Sequence, residues 1–499
     1  MAQDVLLAID QGTTGSTSLV MDLSGRTLGR ATVEFEQHFP EPGWVEHEPD
    51  DIWQSVVDAV AGALGEAGIR QGAGAARIAA IGITNQRETT LIWDRASGKP
   101  IHRAIVWQDR RTSRRCAELR EQGHEDTARQ RTGLVFDPYF SGTKIAWILD
   151  EVSGARQRAE AGELAFGTVD SFVLSRLSGG QVHATDVTNA SRTLLMNLKS
   201  LQWDSSMLEL LRVPRAVLPQ IVDSAGRLAT TRDFPGLPDG LPVAGIAGDQ
   251  QAALFGQACF GVGDVKCTYG TGAFVLANIG AEPVQSRFGL LTTVGWKIGG
   301  EVTYALEGSA FIAGAAVQWL RDGLGLIETA ADIEALAREA ESSGGVYFVP
   351  ALAGLGAPYW DAEARGIICG LTRGSTRANL ARATLEGIAH EVCDLLESMA
   401  EDLGRPLSRL RVDGGAAAND LLMSEQAALA ALTIERPVEL ETTARGAAML
   451  AAVGVNAFAD KSAATTMSPL ERRFEPAAGG DRRQARQGWK QAVARARLT

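Results

Sequence analysis

Three turns in this chain could hold an anion through backbone chemistry: Asp10-Gln11-Gly12-Thr13-Thr14-Gly15, Tyr269-Gly270-Thr271-Gly272 and Asp413-Gly414-Gly415. Each closes a short apolar run. Glycine lets backbone N–H groups converge on a phosphate oxygen, and threonine hydroxyls add further donors. A single such turn is equally a plain hairpin turn. Three of them, two with a Gly-Thr core after a strand, point to nucleotide phosphates. The other nucleotide and hydrolase signatures are missing: there is no GxxxxGK followed by Ser or Thr, no complete GxGxxG, no GxSxG and no HExxH. A second patch, Asn85-Gln86-Arg87-Glu88, ends the apolar run Ile78–Thr84. A carboxylate accepts a hydroxyl proton and a guanidinium donates to a hydroxyl oxygen, the pair of functions that a small polyol requires. Standing alone, Arg87-Glu88 is also an ordinary ion pair at a strand end.

The elements that must position these residues follow from hydrophobic pattern. Val5–Asp10, Ser18–Leu23 and Ile78–Thr84 read as strands in the first half; Pro242–Ala247, Val265–Tyr269, Ala273–Asn278 and Leu410–Val412 read as strands further on. Helical spacing marks Asp50–Leu64 and Asn379–Met399, and a further helix after Asn419 or Asp420 as N-cap. Asp249 opens an apolar helical run, where a capping role and a chemical role are both open to it. Strand, Gly-Thr turn, strand occurs near the start of both halves, the mark of a duplication without a fixed sequence period. Asp223–Leu241, rich in Gly, Pro and Thr, reads as a surface loop region, and the tail from Arg472 as polar and then helical. Strands and helices alternate throughout, so the class is α/β.

The chain has 499 residues, too many for one core, and divides near residue 255 into units of 1–254 and 255–499. Its net charge of −12 argues against a nucleic-acid or anionic-membrane surface. Any anionic substrate must meet local donors. The five cysteines are scattered and read as reduced thiols. The start, MAQDVLLAIDQ, lacks the basic segment of a signal peptide, and no apolar run of about 18 residues follows, so no membrane segment and a cytoplasmic location are expected.

Longer segments carry a resemblance. The three turns resemble the two phosphate segments and the adenosine segment of the actin/Hsp70/sugar-kinase superfamily. Tyr139-Phe140-Ser141-Gly142-Thr143-Lys144-Ile145-Ala146-Trp147, and Gly366-Ile367-Ile368-Cys369-Gly370-Leu371 with Thr384-Leu385-Glu386, are similar to the two signatures of the FGGY carbohydrate kinases. Four further segments resemble the glycerol-phosphorylating branch of that family: Pro42–His47, Ile83–Thr90, Ala247–Gly256 and Gly354–Trp360. The likeness runs from about residue 5 to about residue 495. It implies two RNase-H-like (actin-like ATPase) domains flanking a deep cleft. ATP would be the donor, with Mg²⁺, and glycerol the acceptor, giving sn-glycerol 3-phosphate as the entry step of glycerol catabolism. It also implies a homodimer or homotetramer.

The same resemblance implies the roles. Arg87, Glu88, Tyr139, Asp249 and Gln250 would contact the polyol, with Trp107 and Phe274 as apolar wall and Asp249 as catalytic base. Thr13, Thr14, Gly15, Thr17, Thr271, Gly314, Gln318, Gly415 and Asn419 would line the nucleotide site, and Asp10 would hold Mg²⁺ through water. A xylulose or gluconate kinase, and a non-enzymatic chaperone or filament ATPase, are the rival readings. Some relatives are controlled by a sugar bisphosphate or by His phosphorylation in the region matching Asp223–Leu241; this stretch has no His and no Gly-Gly-Lys run, so neither control is expected. One departure stands out. Many members read Asp-Gln-Gly-Thr-Thr-Ser-Ser-Arg at the first turn, and this chain has Thr17 in place of the Arg. Loss of that cation predicts weaker hold on the phosphates unless another cation compensates, and a lower ATP KM for Thr17→Arg.

Overall fold

The computed structural model describes residues 4–476 and 482–497; the outermost residues of both expected units, and the segment 477–481 of the tail, lie outside the described residues. Thirteen strands join in one sheet. In chain order they are β1 (Val5–Gln11), β2 (Gly15–Asp22), β3 (Thr27–Glu34), β4 (Ile78–Asn85), β5 (Ala225–Thr230), β6 (Pro242–Gly248), β7 (Asp264–Tyr269), β8 (Ala273–Gly280), β9 (Leu291–Ile298), β10 (Glu301–Ala310), β11 (Arg409–Asp413), β12 (Ile434–Pro437) and β13 (Leu470–Phe474). The spatial order is β13-β12-β11-β7-β8-β10-β9-β5-β6-β4-β1-β2-β3.

The two halves of this sheet repeat one plan. In the first, the antiparallel meander β3-β2-β1 is followed by β4 and β6, parallel to β1, and then by antiparallel β5. In the second, the meander β10-β8-β7 is followed by parallel β11 and β12 and then by antiparallel β13. The duplication hinted at in the sequence is thus a duplication of topology. The halves meet at a single parallel pairing, Ala225 with Ile298. Strand β1 is buried on both faces, as its unbroken apolar run requires.

Helices supply the crossovers between parallel strands. Pro49–Glu66 starts with proline and two aspartates in its first turn and buries Ile52, Val56, Val60 and Leu64. Arg377–Leu403 begins with a reciprocal cap between Thr376 and Asn379 and ends at left-handed Gly404. Asn419 caps Asp420–Ala430 by accepting the Leu422 N–H at 2.8 Å. Two readings change. Asp223–Leu241 is not all loop: Ala225–Thr230 is β5, paired with β6, although its glycine and its threonine look like turn residues. Asp249 is not an N-cap, because Gly248 holds that position and Asp249 is the first residue of the helix Asp249–Gly256.

That helix runs across residue 255 and crosses the helix Thr442–Gly454 at bare backbone. A Cβ on Gly446 would lie 1.8 Å from the Ala252 carbonyl oxygen, and one on Gly256 would lie 2.2 Å from that of Thr442. Thr442–Gly454 in turn lies on the first half of the sheet, where a Cβ on Gly82 would come within 2.1 Å of the Ala447 carbonyl oxygen. Gly446→Ala forces these backbones apart. It is expected to lower unfolding free energy by about 1–3 kcal/mol, the cost of an overpacked core, measured by urea denaturation; an unchanged midpoint would show that the crossing can yield.

Candidate active site

The end of β4 is where the chemistry gathers. After Asn85 the chain turns sharply, and Glu88 adopts a left-handed φ of 61°. A non-glycine residue in that region is held there by its surroundings. Here the Glu88 carbonyl accepts hydrogen bonds from Thr90 Oγ1 and Ser141 Oγ, both at 3.0 Å. Arg87 and Glu88 are thereby sent in fixed directions, and both are buried.

Arg87 is saturated. Its guanidinium makes a bidentate pair with Glu307 at 2.6 and 2.9 Å and donates to Gln251 Oε1 at 3.2 Å and Tyr139 Oη at 3.1 Å. Its Nε lies 3.1 Å from the Asp249 carboxylate. Arg192 completes the cluster, donating to Glu88 at 2.6 Å and to Glu307 at 3.0 Å. Burial alone would raise the Glu307 carboxyl, but Arg192 and Arg87 outweigh it and hold its pKa at about 2. For Glu88 burial wins and its pKa is raised, although the same two arginines oppose it. Glu307 lies on β10, in the second half, so Arg87 spans the two halves.

Neither Arg192 nor Glu307 was singled out from sequence. Both lie more than 100 residues from Arg87, in segments with no chemical motif of their own. The one local signal is a carboxylate, Glu307, within the buried stretch of β10 that starts at Tyr304.

A cavity of about 790 Å³ opens above the cluster, lined among others by Thr13, Thr14, Trp107, Tyr139, Thr271, Phe274 and Glu307. Trp107 donates its indole N–H to Thr13 Oγ1 at 2.9 Å and packs edge-on against Tyr139. A second cavity, of about 430 Å³, is lined by Thr271, Gly314, Gln318, Gly415 and Asn419. It is mostly apolar, including Val317, Ile333, Leu385 and Leu422. Thr271 lines both, so the two spaces meet at the second Gly-Thr turn. Gly314 is needed for that junction, since a Cβ there would lie 2.6 Å from the Gly270 carbonyl oxygen.

Other predicted residues sit around these spaces. Asp249 keeps its carboxylate about one-third exposed, with one oxygen accepting the Gln250 N–H at 2.6 Å. Gln250 accepts from the buried Lys266 ammonium, which also donates to Thr268 at 2.9 Å. Gly15 lines neither cavity: it pairs with β3, where a Cβ would lie 2.6 Å from the Val33 carbonyl oxygen. Thr17 lines neither as well, and its hydroxyl bonds Thr32 Oγ1 at 2.9 Å. Burial first, and then the carboxylates of Asp249 and Glu441, raise the Asp10 carboxyl to about 8, with Arg30 acting the other way. A hard cation at this place would relieve that repulsion, so Asp10 fits a Mg²⁺ role. Among the described residues no cluster of three or more metal-binding side chains occurs.

The N-terminal domain of the FGGY family of carbohydrate kinases matches residues 5–256, and the C-terminal domain of that family matches residues 265–455. The chain belongs to the FGGY family of carbohydrate kinases. It is 56% identical over 495 residues to a glycerol kinase of Alkalilimnicola ehrlichii, covering 98% of each chain. It is 55% identical to a glycerol kinase of Myxococcus xanthus, covering 98% of this chain and 99% of that one. Among solved structures, glycerol kinase of Plasmodium falciparum with ADP superposes with a TM-score of 0.92 at 34% identity, over 99% of this chain and 98% of that one. The α/β fold with two actin-like halves is that of the sugar kinases.

Arg192→Ala would leave Glu88 and Glu307 buried with one cation between them. Removing one partner of a buried ion pair costs roughly 3–5 kcal/mol. That loss should appear in chemical denaturation at neutral pH; a change below about 1 kcal/mol would mean the cluster relaxes or takes up water.

Proposed function

We propose that this chain transfers the γ-phosphoryl group of ATP to a terminal hydroxyl of glycerol, giving sn-glycerol 3-phosphate and ADP by in-line displacement. The observation that carries this reading is the junction of the two cavities at Thr271. An apolar pocket fit for a purine meets a chamber lined by Tyr139 and Glu307, the two members of the Arg87–Glu88–Tyr139–Glu307 network that reach its wall. The glycerol kinases that share more than half of this sequence support the choice of acceptor.

In this reading glycerol lies on Arg87, Glu88, Tyr139, Asp249 and Gln250, against Trp107 and Phe274. Asp249 is the base. Arg87 holds its carboxylate from one side and the Gln250 N–H holds one oxygen, and the carboxylate stays about one-third exposed. As the hydroxyl oxygen bonds to the γ-phosphorus and the bond to the β–γ bridging oxygen breaks, the proton passes to Asp249 and the electron pair leaves with ADP. Thr13, Thr14 and Thr271 supply phosphate donors from two facing turns, with Gly15 and Thr17 as the strand that carries the first of them. Gly314, Gln318, Gly415 and Asn419 bound the adenosine. Mg²⁺, held from Asp10 through water, would neutralise phosphate charge during transfer. Division into units of 1–254 and 255–499, a homodimer or homotetramer, and a cytoplasmic location belong to the same reading. The described helices bear on the last point only in that none is long and apolar enough to cross a membrane.

A substrate panel with coupled ADP detection tests the acceptor. Glycerol should exceed xylulose and gluconate in kcat/KM by orders of magnitude; a five- or six-carbon acceptor in first place would overturn the assignment. Arg87→Ala and Glu88→Ala should each raise the glycerol KM by about 10- to 100-fold and leave the ATP KM nearly unchanged, given roughly 1.5–3 kcal/mol per charged hydrogen-bond partner. An equal rise in both constants would move these residues out of the polyol site. Asp249→Asn should lower kcat by about 10²- to 10⁴-fold with glycerol still binding, the usual contribution of a general base. Near-normal turnover would remove Asp249 from that role.

A further inference from the structure

The first phosphate turn carries Thr17 where many family members carry arginine, so the cation must come from elsewhere or be absent. Strand register shows where one stands. Asp10, Thr17 and Thr32 are opposite one another across β1, β2 and β3, and Ala8, Leu19 and Arg30 form the next such row. Residues two apart on a strand share a face. The Thr17–Thr32 hydroxyl contact at 2.9 Å fixes that face as the one holding Asp10 as well as Arg30. A diagonal neighbour in an antiparallel pair lies about 7–8 Å away, within reach of a long side chain.

Arg30 is also not committed elsewhere. Its backbone N–H donates to Glu66 at 2.6 Å, but its guanidinium makes a single ion pair, to Glu441 at 3.2 Å, and both partners are about half exposed. Glu441 immediately precedes the helix Thr442–Gly454, which lies across the first half of the sheet. Two cations of the neighbouring cluster are engaged elsewhere. Arg87 is saturated by protein partners, and Lys266 is bonded to Gln250 and Thr268.

We infer that Arg30 is a nucleotide-binding residue: its guanidinium, delivered from β3 rather than from position 17 of β2, contacts the phosphates of ATP. This rests on the reading of the first turn as a phosphate site. Glu441 holds the side chain in place while no nucleotide is bound. A polyphosphate carries more charge than one carboxylate and offers bidentate acceptors, so it draws the guanidinium from a half-exposed pair. The expected effect of Thr17→Arg in the wild-type chain changes accordingly: the site already has its cation, and the ATP KM should move less than twofold.

The test is a three-variant series with steady-state kinetics and ADP titration calorimetry. Arg30→Ala should raise the ATP KM and the ADP Kd by about tenfold or more, with the glycerol KM within twofold of wild type. Arg30→Ala combined with Thr17→Arg should recover most of that loss, because the cation returns from the neighbouring strand. Arg30→Gln keeps the side chain's length without its charge. It should match Arg30→Ala and retain the wild-type melting temperature, which separates lost charge from lost folding. An ATP KM unchanged in Arg30→Ala, or a double variant no better than Arg30→Ala alone, overturns the assignment. Thr13→Ala and Thr271→Ala serve as controls on the underlying reading. If they too leave the ATP KM unchanged, the phosphate site itself is misplaced; if they raise it while Arg30→Ala does not, only Arg30 is wrong.

Discussion

The bidentate pair between Arg87 and Glu307 is the interaction on which the site depends. It joins the end of β4 in one half to the middle of β10 in the other, out of contact with water. Four buried charges, with Arg192 and Glu88, are a poor source of stability, because each ion loses several kcal/mol of hydration before its partner returns any of it. What they supply is direction. A guanidinium with its donors fixed by Glu307, Gln251 and Tyr139 cannot rotate, so the Asp249 carboxylate beside its Nε is held too. Fixed placement of a side chain is what such a network gives a site, more than stability to the fold.

Charge is sorted across the cleft. The polyol side has its cations balanced within the protein, Arg87 and Arg192 against Glu88 and Glu307. A neutral acceptor suits such a floor, since it brings no charge that would need a new partner. On the side near Asp10, burial and then the carboxylates of Asp249 and Glu441 raise that group's pKa. That side therefore favours positive charge arriving with a ligand. The two poles explain how an acidic chain can receive a highly charged donor and an uncharged acceptor through one opening.

Much of this was legible in sequence because it is local. The strands before Asp10, Asn85, Gly248 and Tyr269 are short apolar runs cut off by glycine or polar residues, and the structure ends them within a residue or two of that reading. The helix read from Asn379 starts two residues earlier, at Arg377, where Thr376 and Asn379 cap each other. What was not legible depends on pairing over long distances. Arg192 and Glu307 become site residues only because Arg87, after the end of β4, meets Glu307 on β10, and Arg192 bonds both Glu88 and Glu307; no short window contains that fact. Strand β5 was hidden because Gly226 and Thr230 carry turn chemistry, while its burial comes from β6. Gly15 is the reverse case. Its sequence context is a phosphate turn, yet its small size is required by the Val33 carbonyl across the hairpin.

The crossing of the helices Asp249–Gly256 and Thr442–Gly454 has a mechanical consequence. Interlocked side chains resist sliding because rotation lifts knobs out of holes and opens voids. At Gly446 and Gly256 there are no knobs: carbonyl oxygens and Cα atoms meet directly. Such a contact behaves as a bearing, with a short lever arm and nothing to unlock. Asp249 is the first residue of one of its two shafts. A methyl group added at Gly446 would meet the backbone at Ala252, one helical turn from Asp249, so the placing of that carboxylate depends on a contact that admits no side chain.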